Sequence, residues 1–244
     1  MAHILCVIPA RYGSTRFPGK PLAEIDGIPL IVWVYRNTVA ADAFDEVCVA
    51  TDDERITEAV QRAGGKAVMT SSVHKSGTDR VNEVAGRISC THVVNVQGDE
   101  PQIPAELLRK FSTALKQIND NSLLTVVSHA TIEEISDANT VKAVLSRNNR
   151  ALYFSRASIP YERNGTVPCF KHIGIYGFTV AGLHRFCSFS EGTLERVEQL
   201  EQLRALENDM TINCIVHDFF SIGIDTTEAL ERFRRQIAGN DYGV

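Results

Sequence analysis

The chain has 244 residues, 44% of them hydrophobic and 23% charged, with a formal net charge of -5. That composition supports one substantial core and excludes a disordered tail or a collagen-like fibre. It also lacks the wide basic face that binding to a nucleic-acid backbone requires. No stretch reaches the roughly 20 apolar residues of a membrane span, and the apolar run at 4–8 has no charged leader before it. The expected location is the cytoplasm, with neither nucleic acid nor membrane as a partner. The six cysteines, Cys6, Cys48, Cys90, Cys169, Cys187 and Cys214, form no C-x-x-C pair. They read as reduced, buried small hydrophobes.

Apolar runs of strand length at 4–8, 46–50, 67–69, 92–96 and 123–128 alternate with helix-period segments. Ile56, Ala59, Val60 and Ala63 share one helical stripe, and so do Val81, Val84, Ala85 and Ile88. This pattern predicts an α/β fold, a mostly parallel sheet with helices on both faces. Past residue 128 the rhythm shifts to strand-like pieces at 141–145, 151–154 and 171–178, broken by a turn-rich stretch at 160–168. These predict an antiparallel insert at about 129–185 within a single domain whose core is 1–128 and 186–244. One helix is expected over 191–208, with Leu194, Val197, Leu200, Leu203 and Leu206 packing on the domain or on a partner subunit. A strand at 212–216 and a helix at 227–238 close the pattern.

In an open parallel sheet, ligands lie beyond the carboxyl ends of the strands. The loop after the first strand runs Pro9-Ala10-Arg11-Tyr12-Gly13-Ser14-Thr15-Arg16-Phe17-Pro18-Gly19-Lys20-Pro21-Leu22. Its three cations, two glycines and small hydroxyls suit a polyphosphate cradle, although it is neither G-x-G-x-x-G nor a P-loop. The run Val96-Gln97-Gly98-Asp99-Glu100-Pro101 puts an acid at a strand end. There Asp99 either binds magnesium or caps a helix. Gly223-Ile224-Asp225-Thr226 offers the same two readings. A cationic loop with two carboxylates at neighbouring strand ends would make a metal-assisted phosphoryl-transfer site.

A set of motifs carries a family resemblance. It comprises Ile8-Pro9-Ala10-Arg11, Pro18-Gly19-Lys20-Pro21-Leu22, His74-Lys75-Ser76-Gly77-Thr78-Asp79-Arg80, the run from Asn95 to Pro101, Ala151-Leu152-Tyr153-Phe154-Ser155-Arg156, His172-Ile173-Gly174-Ile175-Tyr176 and Leu200-Glu201-Gln202-Leu203-Arg204. In this order, nearly end to end, the chain resembles the 3-deoxy-manno-octulosonate (Kdo) cytidylyltransferases, or CMP-Kdo synthetases.

The resemblance implies a nucleotide-binding, Rossmann-like α/β domain with an inserted antiparallel piece, in a magnesium-dependent homodimer that joins CTP and a Kdo-type sugar acid into CMP-Kdo and pyrophosphate, an activation step of lipopolysaccharide synthesis. It assigns Ala10, Arg11, Arg16, Lys20, Ser76, Gly77, Thr78 and Arg80 to the nucleotide. Asp99 and Asp225 fall to Mg2+, and these two with Lys20 form the catalytic set. Gln97, Arg156, His172, Tyr176, Glu201 and Gln202 fall to the sugar, Arg156 being suited to fork onto a carboxylate. Three departures from the family pattern are Tyr176-Gly177-Phe178-Thr179 where Tyr-Ala-Tyr-Arg is usual, Asn208-Asp209, and Thr227-Glu228-Ala229. They suggest an acceptor variant such as 8-amino-8-deoxy-Kdo, whose ammonium would favour the loss of a nearby cation. A sialic-acid cytidylyltransferase and a non-catalytic CTP-binding module are the alternative readings.

Overall fold

Strand β1 (Ile4–Ala10) is apolar along its length and sits at the centre of the molecule, because a strand covered by helices on both faces has no use for polar alternation. The computed structural model describes residues 2–13, 17–164, 168–219 and 223–239. After β1 come a 3-10 turn at Lys20–Leu22, a short hairpin of β2 (Glu24–Ile25) and β3 (Ile28–Pro29), and α1 (Leu30–Ala40). Crossover units follow: β4 (Glu46–Thr51), α2 (Glu54–Arg62), β5 (Ala67–Met69), α3 (Gly77–Ala85), β6 (His92–Val96), α4 (Ala105–Leu115) and β7 (Ser122–His129). The remainder is α5 (Ile132–Ser136), β8 (Lys142–Leu145), β9 (Ala151–Ser155), β10 (Phe170–Thr179), α6 (Val180–Ser188), α7 (Thr193–Glu198), α8 (Leu203–Glu207), β11 (Thr211–Val216) and α9 (Thr227–Gly239).

The main sheet has the order β11-β7-β10-β6-β1-β4-β5, with β8 joined to β10 and β9 joined to β8. Pairs β1–β4, β1–β6, β4–β5 and β7–β11 are parallel, and β10 is antiparallel to both β6 and β7. Alternation along β1 divides the core. Ile4, Cys6 and Ile8 pack with residues of α1, α2 and α4, whereas Leu5 and Val7 pack with residues of α3, α6 and α8. All six cysteines are free, and Cys6, Cys48, Cys169 and Cys214 are buried.

Three details differ from the sequence-based expectation. The strand expected at 171–178 as part of an insert is a central strand, β10, lying between β6 and β7. Gly177 fits it there, since a Cβ would stand 2.7 Å from both Leu115 and Phe111 of α4. The single helix expected over 191–208 is two, α7 and α8, parted by Gln199 in the left-handed region at φ 54°. Leu200 and Leu203 are buried as expected, but Leu194 and Val197 lie on the surface, Val197 being 76% exposed.

The third difference concerns the departures from the family pattern. Because β10 runs against β6, Thr179 pairs with His92 at the start of β6, at the end of the sheet away from the carboxyl end of that strand. Its hydroxyl caps α6 through Gly182 N–H at 2.9 Å and donates to Asp120 at 2.6 Å. Asp209, at φ 57°, sits at the same end, its carbonyl taking a bond from Asn121. A cation lost at position 179 is therefore remote from the strand ends where Gln97 and Asp99 lie, and these two departures carry no argument about the acceptor.

Candidate active site

A cleft of about 370 Å³ opens at the carboxyl ends of β1 and β6, lined by Ala10, Arg11, Lys20, Gly77, Gln97 and Asp99 among others. Small residues let its walls close up. A Cβ on Gly98 would stand 3.0 Å from the Pro9 carbonyl oxygen, and one on Gly77 would stand 3.1 Å from the Pro9 ring. The loop after β1 is pinched at its base, where Gly19 N–H donates to Tyr12 C=O at 2.9 Å with Gly19 at φ 73°. The Arg55 guanidinium lies 3.5 Å from the Tyr12 ring centroid and is itself forked onto Asp53. These contacts fix the ends of a loop whose Arg11 and Lys20 reach the cleft. Arg16 lies outside the described residues.

Lys20 Nζ meets Asp99 Oδ2 at 2.6 Å, so the cationic loop and the acidic strand end touch. Asp99 is no helix cap, since α4 begins at Ala105, with Pro104 at its N-cap and no side-chain cap. The third motif joins them through the backbone, Ile224 N–H donating to Asp99 C=O at 2.9 Å. Capping of α9 falls to Thr226, whose hydroxyl accepts from Ala229 N–H, so Asp225 is not the capping residue. Among the described residues no group of three or more His, Cys, Asp or Glu side chains is arranged as a metal site. Asp99 and Asp225 are two hard oxygen donors on adjoining segments, and Mg2+ is commonly held by one or two carboxylates with phosphate oxygens and waters completing its shell. The residues fit that cation.

The motif at the start of α3 carries four of the residues assigned to the nucleotide. Ser76 caps α3 in a reciprocal box with Asp79. Thr78 turns its hydroxyl to Glu201, with Asn95 behind it. Arg80 is buried, bonded to Thr70 and, at 3.0 Å, to Asp52, and it lines the cleft together with Gly77. Gly77, with no side chain to turn away, faces the cleft through its backbone.

The sugar-side residues converge on β10 and the α7–α8 turn. His172 pairs with Val127 and Tyr176 with Thr125, so β10 carries two extra residues, Gly174 and Ile175, against β7. An even insertion keeps the alternation in phase, and the two rings remain neighbours at 5.5 Å. The Thr125 hydroxyl donates its one proton to Ile175 C=O at 2.8 Å. It therefore accepts from His172 Nε2, also at 2.8 Å, which leaves His172 Nδ1 as the acceptor. Tyr176 O–H donates to Gln202 Oε1 at 3.2 Å, and Gln97 lies beside Gly174. Gln202, 2% exposed, has its Nε2 without a partner among the described residues, as has Asn95 Oδ1. Burial pushes the Glu201 carboxyl and the Tyr176 hydroxyl up.

Burial lowers the His172 pKa to about 3, so this imidazole is neutral across the working range. Its unfolded value is near 6.5, so below that pH the unfolded chain binds a proton that the folded chain refuses. Stability contributed by this group is therefore lost as pH falls from 6.5 towards about 3, at up to about 1.4 kcal/mol per pH unit. Urea titrations across that window should show a shallower slope in His172→Gln; an unchanged slope would remove the assignment.

Arg156 stands beside the same turn. Its Nε, Nη1 and Nη2 donate to the carbonyls of Glu198, Ala138 and Gln199 at 2.9, 3.2 and 3.4 Å, and its N–H donates to the Glu198 carboxylate. It braces the turn that carries Glu201 and Gln202, and these three bonds use three of its five side-chain N–H donors, one on each of Nη1 and Nη2 remaining. Sequence reasoning missed Asn95, Thr125 and Glu198. The first two had a signal, each being a polar residue flanked on both sides by apolar ones within its strand. Glu198, which binds Ser155 and Arg156, had none.

A cytidylyltransferase family model matches residues 5–212. The 3-deoxy-manno-octulosonate cytidylyltransferase of Thermodesulfovibrio yellowstonii is 45% identical, over 93% of this chain and 95% of its own. That of Syntrophus aciditrophicus is 44% identical, over 98% and 99%. A solved CMP:2-keto-3-deoxy-manno-octonic acid synthetase complexed with CTP superposes with a TM-score of 0.93 at 38% identity, over 98% of this chain and 99% of that one. A cytidylyltransferase from Leptospira borgpetersenii, at 17% identity and a TM-score of 0.67 over 98% and 88%, shares the fold. From motif order, cleft and likeness together, the chain belongs to the 3-deoxy-manno-octulosonate cytidylyltransferase family.

Proposed function

We propose that the chain transfers CMP from CTP to an eight-carbon 3-deoxy sugar acid of the Kdo type. The sugar's C2 hydroxyl attacks the α-phosphorus in line, the α–β phosphoanhydride bond breaks, pyrophosphate leaves, and the hydroxyl proton passes to solvent. The observation that carries this reading is the 2.6 Å contact of Lys20 with Asp99, which brings the cation assigned to phosphate and the carboxylate assigned to metal together in one cleft. With CTP in place Lys20 and Arg11 neutralise phosphate charge, including what builds on the departing pyrophosphate. Asp99 and Asp225 would hold Mg2+, which when bound neutralises phosphate oxygens and lowers the acceptor hydroxyl's pKa.

Glu201, Gln202, Tyr176 and neutral His172 offer the acceptor a set of donors and acceptors suited to hydroxyls, with Gln97 at the boundary with the nucleotide. Their fixed geometry supplies orientation, which in-line transfer needs more than covalent help. The same reading gives one nucleotidyltransferase domain, with 129–185 contributing to the sugar side, working in the cytoplasm where CTP is made. The family resemblance supports a homodimer, and Leu152 and Val197 are exposed apolar surface that a second copy would cover.

Pyrophosphate release with CTP and Mg2+ tests the reading, comparing Kdo, its 8-amino-8-deoxy analogue, a sialic acid and no acceptor. Release should depend on an octulosonate and fall at least about 100-fold in Asp99→Ala. The preferred octulosonate names the acceptor. Release with sialic acid alone would move the chain to that branch, and CTP binding without release would make it a binding module.

A further inference from the structure

The geometry points to the Thr78 hydroxyl, oriented by Asn95, as a positioning group for the acceptor: it holds the Glu201 carboxylate and ties the nucleotide-side loop to the sugar-side turn. The inference rests on the acceptor reading of Glu201 given above. Thr78 and Asn95 are each 1% exposed, so their polar groups have only one another and their neighbours as partners. Asn95 Nδ2 donates to Thr78 Oγ1 at 3.2 Å, and Thr78 is hydrogen-bonded to Glu201 Oε1. A hydroxyl carries one proton. Having accepted from the amide, Thr78 gives that proton to the carboxylate, so the relay has one direction, from β6 through α3 to the α7–α8 turn.

The relay joins residues 123 positions apart and leaves the cleft wall at this point to Gly77 and Arg80. Charged and titratable groups face Glu201 from each surrounding element: Asp79 on α3, Arg204 on α8, Cys187 on α6 and Tyr176 on β10. Burial pushes the carboxyl up, hydrogen bonds from Thr78 and Ser76 and the charge of Arg204 pull it down, and Asp79 pushes it up. Taking away the Thr78 proton removes the first of the stabilising contacts and lets the carboxyl rise. The nucleotide side loses nothing in the same change, because the Thr78 hydroxyl does not face it.

The test compares wild type, Thr78→Val and Thr78→Ser, using steady-state pyrophosphate release and a carboxyl NMR titration of Glu201. Thr78→Val should raise the acceptor KM about tenfold or more, as expected on losing a hydrogen bond to a charged group, and leave the CTP KM within about twofold. Glu201 should titrate about one pH unit higher. Thr78→Ser, which keeps the hydroxyl, should restore both. Equal rises in the two KM values, or a Glu201 titration unmoved by Thr78→Val, overturns the proposal. Absence of release by wild type with every octulosonate would defeat the acceptor reading, while the Glu201 titration still decides whether Thr78 governs that carboxyl.

Discussion

Lys20→Met is expected to cut the rate of pyrophosphate release at saturating substrates by about 10²–10³-fold, with the fold intact. The reasoning starts from the loop. Lys20 opens the 3-10 turn at Lys20–Leu22, its N–H bonded to Phe17 C=O and its C=O to Ala23 N–H, so its backbone is fixed by bonds that the side chain does not make. The ammonium is partly exposed and so is Asp99. Breaking their pair therefore leaves a hydrated carboxylate, at a stability cost within about 1 kcal/mol. What the variant loses is a positive charge where negative charge gathers on the leaving pyrophosphate. A cation that acts mainly in the transition state lowers kcat when removed, more than it raises the CTP KM. Asp99→Asn keeps the shape but not the charge, and should shift the Mg2+ concentration needed for half-maximal rate upward in addition to slowing turnover. Measuring kcat across a Mg2+ titration separates the two: a Lys20→Met rate within threefold of wild type would show that Lys20 serves Asp99 alone.

The parts of this fold that could be read from the sequence are those where burial is one-sided or total. Largely apolar runs mark β1, β4, β6 and β7, and a charged or glycine-containing segment directly after β1 and β6 marks the cleft. The direction of a strand leaves no such mark. Nothing in residues 171–178 tells that β10 enters antiparallel between β6 and β7, and that direction is what carries Thr179 to the far end of the sheet. The break at Gln199 could be suspected from geometry. Residues three apart in an α-helix lag by about 60°, so Leu194, Val197, Leu200, Leu203 and Leu206 would sweep well over half a turn of one helix and could not share a face. Two helices resolve the conflict, burying Leu200 and Leu203 and leaving Val197 in solvent. The bonds of Arg156 to three backbone carbonyls were hidden for a chemical reason: its planar fork of donors suits carbonyls as well as carboxylates.

Arg204→Met should destabilise the protein by about 3 kcal/mol, seen as a fall in Tm of about 6–12 °C. Arg204 Nε and Nη2 fork onto Glu195 at 2.7 and 2.6 Å, both residues being largely buried, and the guanidinium sits 5.5 Å from the Phe186 ring centroid. Glu195 also accepts Gly192 N–H at 3.2 Å, so one carboxylate ties the start of α7 to α8. Removing the cation leaves that carboxylate buried with one backbone donor, which costs far more than an exposed pair would. Removing both charges in Glu195→Gln with Arg204→Met should therefore cost less than the sum of the single changes, with a coupling of about 1–3 kcal/mol. The brace spans the left-handed Gln199, and between its two ends lie the Glu201 and Gln202 side chains. Loosening it should raise the acceptor KM several-fold while the CTP KM, set from β1 and β6, stays put. A destabilisation under 1 kcal/mol, or two KM values that rise together, would show that packing of Leu200 and Leu203 holds this turn without the ion pair.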